Sequence, residues 1–329
     1  MRAKDTFHCL VAPVLMERAT SHSLQDSRIK AQATMNLVIR IAAAILSVPP
    51  DVIAPIVPMM APSPRNSLEI QLRNEVNTVL SGRCSAADAG APLFAISSEE
   101  ANFVDCNSGL PGVAGVYKSD DNDNLASTYG EITMLGARQL FYHMSLTTQK
   151  SGSNNHQDFH FYDLGSGGGR LVIQSYLELP SVSTSVGIEL SPSRHEIASQ
   201  TYNYLQENGD IKRIRNLARR AWGIEDKEDT DDSGIELYEG DLFKLDISKA
   251  THIYASSLCF SEQMLEMLVE KIELEATSLQ VIASLRKLPL KESNNKALVK
   301  IGRNPWQEWI EMSWSKEGVS VYLYTVEKI

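Results

Sequence analysis

The densest chemistry in this sequence lies in Phe161-Tyr162-Asp163-Leu164-Gly165-Ser166-Gly167-Gly168-Gly169-Arg170. An apolar run leads into an acid, then a loop of glycines, then a helix start. Glycines let the backbone turn tightly and approach a ligand with no Cβ in the way. The helix after the loop aims its free N–H groups across it. That much suits any nucleotide held at a strand-to-helix turn. Two details narrow it. A dinucleotide fingerprint has Gly-x-Gly-x-x-Gly, and its third glycine position is Arg170; the arrangement is instead Gly165-x-Gly167-x-Gly169. Asp163 stands just ahead of the loop, where it would repel a pyrophosphate and welcome a cation.

Two more acids close the next two strand-like runs. Glu189 ends Val186-Gly187-Ile188-Glu189, and Asp241 lies in Glu239-Gly240-Asp241-Leu242-Phe243. An acid after the second strand can accept hydrogen bonds from both ribose hydroxyls. Asp241 can take a bond from an adenine amino group, with Leu242 against the ring. Asp163 then faces an ammonium or a nearby sulfonium. The ligand expected from three such acids at successive strand ends is S-adenosylmethionine, which carries both cations.

The elements that must position these residues form a strand–helix alternation, the mark of a parallel sheet covered by helices. The pattern predicts a helix from about Thr133 to Met144, a strand over Phe159–Leu164, a helix over Arg170–Leu179 and a strand over Thr184–Leu190. Ser191-Pro192 starts a further helix, with Ser as cap and Pro at the first helical position, running to about Asn208. Residues 211–234 turn from basic to acidic and read as a solvated excursion. Ile235–Tyr238, Thr251–Ser256 and Leu279–Leu285 are further strands, with an amphipathic helix over Ser261–Glu275. Ile310–Trp314 and Val319–Val326, joined by Ser315–Gly318, predict an antiparallel hairpin. The expected fold class is α/β: a Rossmann-like, mostly parallel seven-stranded sheet with that hairpin at its C-terminal end.

Residues 1–115 read differently, as a mainly helical and irregular region ahead of a 116–329 domain. Ser67–Leu80 sets Leu68, Leu72, Val76 and Val79 on one helical face, although Ser67 with Ile70 is not a full capping box. Residues 36–48 read as a buried or amphipathic helix stopped by Pro49-Pro50, which leaves a targeting role for residues 1–60 open. No uninterrupted apolar stretch reaches the roughly 20 residues of a membrane span. The net charge of −10 gives no signal for polyanion binding. Cys9, Cys84, Cys106 and Cys259 are scattered and the histidines lack ligand spacing, so neither disulfide framework nor metal is expected.

The stretch from about Tyr129 to Val326 resembles the catalytic domain of the non-SET histone H3 lysine methyltransferases, the disruptor-of-telomeric-silencing family. Tyr129-Gly130-Glu131 is similar to the family's loop over the cofactor, and Asp163–Gly169 with Gly187-Ile188-Glu189 to its glycine loop and ribose acid. Glu239-Gly240-Asp241 is similar to its adenine-side acid, and Ser313-Trp314 with Val319–Thr325 to its closing hairpin. The resemblance implies a class I methyltransferase in which Tyr129, Glu131, Asp163, Gly165, Gly167, Gly169, Glu189, Asp241 and Leu242 hold S-adenosylmethionine. It implies a protein substrate, histone H3 in nucleosomes, and a nuclear location; with another substrate the location would be cytoplasmic.

This chain departs from the family at two places. Ser256-Ser257 stand where the family has paired asparagines, and Val321 falls where it has a tyrosine of its lysine channel. Methyl transfer needs nucleophile and methyl held in line with water excluded. A lysine must also lose its proton, which an apolar channel favours. Ser256, Phe260, Trp314 and Tyr322 are the acceptor-side candidates. Two alternatives stay open: the same chemistry on a non-histone protein or small molecule, and a cofactor-binding interaction module without catalysis.

Overall fold

The computed structural model describes residues 62–81, 131–147, 158–224, 234–291, 296–313 and 315–329. The helix predicted over residues 36–48 lies outside them, as does most of the irregular part of residues 1–115.

The central parallel strands are almost wholly buried, as a sheet covered by helices on each side requires, whereas the edge strand over residues 235–239 is mostly exposed. The parallel strands are β1 (Phe159–Leu164), β2 (Val182–Glu189), β3 (Ile235–Glu239), β4 (His252–Ala255) and β5 (Val281–Ser284). β6 (Val299–Ile301), β7 (Trp306–Met312) and β8 (Ser315–Lys328) complete the sheet. The order is β3-β2-β1-β4-β5-β8-β6, with β7 added against β8. The first five pair in parallel, whereas β8 runs antiparallel to β5 and β6. The sheet thus has eight strands, the seven expected and β6 in addition. β6 was not foreseen: three residues are too short for a period-2 signal to stand out.

Helices lie on both faces: α1 (Ser67–Leu80), α2 (Met134–His143), α3 (Arg170–Glu178), α4 (Pro192–Glu207), α5 (Asp210–Ala221) and α6 (Glu262–Glu275). Two apolar clusters fill the layers. One packs Phe159, Phe161, Tyr254, Ala283, Val321 and Leu323 against α1, α2, α3 and α5. The other packs Tyr162, Leu164, Ile253, Ala255 and Tyr324 against α6. Alternation along each strand decides which residue joins which cluster. Among the described residues no helix is long and apolar enough to cross a membrane.

Three expectations change. Residues 210–221 are a helix and not a solvated excursion: α5 buries Ile211, Ile214, Leu217, Ala218 and Ala221. Its many charges masked that 3.6-residue period. One of those charges, Arg215, is itself buried and donates to the carbonyls of Tyr176, Leu179 and Val182 at 2.5, 2.6 and 2.7 Å, stapling the turn between α3 and β2. Second, Ser191 precedes α4 but its hydroxyl makes no cap bond; it meets Ser193 Oγ at 3.0 Å, and Pro192 starts the helix alone.

Third, α1 does not stand apart from the domain beyond residue 115. Its N-cap is Asn66, which accepts from Glu69 N at 2.9 Å and donates through Nδ2 to Ala221 O at 2.9 Å, at the end of α5. Arg65 lies over the Trp222 ring at 3.6 Å. A buried ion pair adds to this: Arg138 on α2 reaches Glu178 on α3 through Nε at 3.0 Å and Asn77 on α1 through Nη2 at 2.8 Å. These helices belong to one compact unit, Ala61–Trp314 with Val319–Ile329. Ser315–Gly318 belongs to the other unit, and there Ser315 Oγ donates to Gly318 O at 3.0 Å.

Candidate active site

Ligands of open α/β sheets bind at the C-terminal ends of the parallel strands, where the chain order reverses. Here the reversal falls between β1 and β4, and Asp163 sits one residue short of the end of β1. The three glycines after it all take positive φ: +87° at Gly165, +54° at Gly167 and +76° at Gly169. That conformation is strained for any residue with a side chain. A Cβ on Gly169 would also come within 2.9 Å of the Ala198 Cβ. The loop is tied down by Gly165 N and Ser166 N, each donating to Ile188 O at 2.9 Å.

Glu189 ends β2 and is buried at 7 % exposure. Its Oε2 accepts from Gly167 N at 2.7 Å and its Oε1 from Ser191 N at 2.9 Å. Its backbone carbonyl takes Gly240 N at 2.9 Å, which brings the tip of β3 alongside. Asp241 comes next, half-buried, with Oδ1 accepting from Phe243 N at 2.9 Å to cap the short turn Leu242–Lys244. Leu242 packs partly against the α6-side cluster.

Asp163 is more unusual. It is 3 % exposed, and its Oδ1 has no hydrogen-bond partner. Burial pushes its carboxyl well above the ordinary carboxylate range, and the neighbouring Glu189 and Glu131 push it further. An unsatisfied buried acid between two others is expensive unless a cation is to complete it.

Glu131 arrives from the segment before α2. Its Oε2 pairs with Arg170 Nη1 at 3.2 Å, its backbone N donates to Ser313 Oγ at 3.0 Å, and Ser313 N donates back to Glu131 O at 2.8 Å. Thr133 Oγ1 adds a bond to Glu311 Oε1 at 2.7 Å. Residues 131–133 are therefore zipped onto the end of β7. Sequence reading used Arg170 only to reject a dinucleotide; its pairing with Glu131 depends on a contact between distant segments.

The acceptor-side candidates divide. Ser256, just past β4, donates its N–H to Leu164 O at 3.0 Å and stands against Gly165, whose Cβ would lie 3.5 Å from the Ser256 Cβ. Ser257 is fully buried, its Oγ 2.7 Å from Ser284 Oγ and accepting from Arg286 N at 3.0 Å, so it is occupied within the fold. Phe260 and Tyr322 pack with the α6-side cluster, on the face opposite Asp163 and Tyr254. Val321 faces the Asp163 side, together with Val319 and Leu323 of β8. Tyr129 and Trp314 lie outside the described residues. Tyr254 is the register partner of Asp163 across β1 and β4, on the same face of the sheet.

Among the described residues no cluster of three or more His, Cys, Asp or Glu side chains is arranged to hold a metal ion. A buried acid lacking a partner, a side-chain-free loop and acids on two adjoining strand tips do suit an amino-acid cation joined to a nucleoside. The strand order with its one antiparallel insertion is that of the class I S-adenosylmethionine-dependent methyltransferases, and the protein is one of them.

The particular family is set by the sequence as a whole. The family model "Histone methylation protein DOT1" matches residues 122–326, well over half of the chain, and the chain belongs to that family. No curated protein matches it. Solved structures show distant likenesses. An RNA methyltransferase from Salinibacter ruber, in complex with S-adenosyl-L-homocysteine, is 19 % identical over 57 % of this chain and 88 % of its own, with a TM-score of 0.33. TrmN from Thermus thermophilus is 14 % identical over 60 % of this chain and 49 % of its own, with a TM-score of 0.35. The B. subtilis tRNA methyltransferase TrmK is 12 % identical over 53 % and 62 %, with a TM-score of 0.32. At such scores these likenesses carry no argument about substrate.

Proposed function

We propose that this chain methylates a lysine side chain of histone H3 in nucleosomes, in the nucleus. Membership of the histone methylation family supports the substrate, and the partnerless carboxylate oxygen of buried Asp163 is the observation that carries the cofactor site. In this reading Asp163 and Glu131 take the ammonium of the amino-acid end. Glu189 takes the ribose hydroxyls with lone pairs that Gly167 N and Ser191 N leave over. Asp241 and Leu242 take the adenine, and the glycine loop lies along the chain between them. Bound S-adenosylmethionine supplies a methyl group on a positive sulfur. The protein's own part is to hold, to align and to exclude water.

Ser256 lies on the acceptor side of the glycine loop and orients the incoming amine through its hydroxyl oxygen. Trp314 is the remaining acceptor-side candidate, as a wall of the channel; Phe260 and Tyr322 support the strand ends from the far face. A second reading, transfer to a non-histone acceptor, is favoured by Ser256 in place of an asparagine and by the apolar Val321.

One experiment separates the two. Nucleosomes, free histones and a whole-cell extract are offered with radiolabelled cofactor. Label on histone H3 supports the first reading; label on extract proteins and never on nucleosomes removes it in favour of the second.

A further inference from the structure

The sheet ends on β3, which pairs with β2 and with no other strand among the described residues. Gly234 O accepts from Ser185 N at 2.6 Å and Gly240 N donates to Glu189 O at 2.9 Å. The even-numbered residues from 234 to 240 therefore turn their backbone groups towards β2, and the alternate residues turn theirs the other way. The N–H and C=O groups of Ile235, Leu237 and Glu239 point off the edge of the sheet, spaced about 7 Å from one residue to the next. They make no hydrogen bond to any described residue.

β7 contrasts with it. There Glu311 O accepts from Thr133 N at 3.3 Å and Glu311 N donates to Gln139 Oε1 at 3.0 Å, which closes that part of its edge. Among the described residues nothing comparable caps β3, and charge is what guards it, as an edge strand requires. Glu236 and Glu239 are exposed. Tyr238, 44 % exposed, donates its hydroxyl to Glu236 Oε2 at 2.7 Å and holds that carboxylate along the edge. A second copy pairing here would bring the same carboxylates of both chains together, and like charges across strands are destabilising. A strand carrying lysine or arginine meets the opposite: two glutamates to pair with, and a tyrosine ring for a cation to lie over.

We propose that the outer edge of β3 is a docking site for a basic, extended segment of a partner protein, added to the sheet as a further strand. The backbone groups of Ile235, Leu237 and Glu239 supply the affinity, and Glu236, Glu239 and Tyr238 select lysine or arginine at alternate positions. β2 and β1 separate this edge from β4 and Ser256, so the site anchors a partner without occupying the acceptor side.

The test uses the full chain and a fluorescein-labelled peptide of alternating lysine and valine, read by anisotropy. Two further peptides carry N-methyl groups, one on its lysines and the other on its valines. In an added strand only alternate N–H groups face β3. One methylated peptide should therefore bind like the parent, and the other about tenfold more weakly or worse. Equal binding of all three peptides, equal loss in both methylated ones, or no binding of the parent overturns strand addition. The double variant Glu236→Lys with Glu239→Lys should also bind the parent peptide about tenfold more weakly; unchanged affinity places the peptide elsewhere and overturns the site. Far-UV circular dichroism checks the fold of that variant, and the peptide comparison needs no variant at all. Analytical ultracentrifugation without peptide should show a monomer; a dimer that the parent peptide dissociates gives this edge to a second copy and overturns the partner.

Discussion

Glu189 Oε2 accepts the backbone N–H of Gly167 at 2.7 Å, so the acid at the tip of β2 shapes the glycine loop at the end of β1. Its other oxygen holds Ser191 N at 2.9 Å. Glu189→Ala leaves both N–H groups buried without an acceptor, at about 1–3 kcal/mol each. Affinity for S-adenosylhomocysteine should fall by between about tenfold and a hundredfold on the same footing, and calorimetry measures it. Glu189→Gln, which keeps one carbonyl oxygen, should lose less. Equal affinity in all three proteins would detach Glu189 from the loop's shape.

Asp163 sets stability against binding. Its folded carboxyl titrates well above the unfolded one because of burial, with Glu189 and Glu131 adding to it. A raised carboxylate favours folding while protonated. The ligand-free protein therefore loses stability as pH rises from the unfolded value to the folded one, and cofactor affinity should rise over the same window as the carboxylate forms. Asp163→Asn should raise the ligand-free Tm by about 2–4 °C per kcal/mol relieved and abolish binding. A lower Tm would mean that the buried charge is already compensated.

His252 makes the opposite contribution at acid pH. Burial at the start of β4 pushes its imidazole down to about 3, from an ordinary value of 6.5. The unfolded chain takes up this proton below pH 6.5 while the folded protein refuses it. Stability is lost as pH falls from 6.5 towards 3, at up to about 1.4 kcal/mol per pH unit. His252→Gln should flatten the Tm-against-pH curve between pH 6 and 4. A curve parallel to the wild type would show that His252 is charged in the fold.

The Arg138–Glu178 pair, with side chains 9 % and 6 % exposed, joins α2 to α3 and through Asn77 to α1. Arg138→Met leaves a buried carboxylate alone and should cost about 3–5 kcal/mol. Arg138→Met combined with Glu178→Leu should recover much of that, since neither charge then remains. Chemical denaturation checks both; a double variant as unstable as the single would give the arginine a role beyond pairing.

Much of the site was legible before any coordinates, because its signals are local. A glycine run after an apolar strand, with acids closing the next two strands, marks itself by residue type and spacing. What failed locally was α5, whose period was hidden by charge, and β6, which has too few residues to show one.

The sequence by itself determined most of the strand–helix order, the glycine turn after β1 and the placing of acids at three successive strand ends, since these signals are local in the chain. Only the tertiary structure decided which residues share a face and which groups go without partners. It put Tyr254 rather than Tyr322 beside Asp163, occupied Ser257 within the fold, paired Arg170 with Glu131 and left one oxygen of Asp163 unsatisfied. Strand register and helix packing bring together residues far apart in the chain, and no local pattern records which of them will meet.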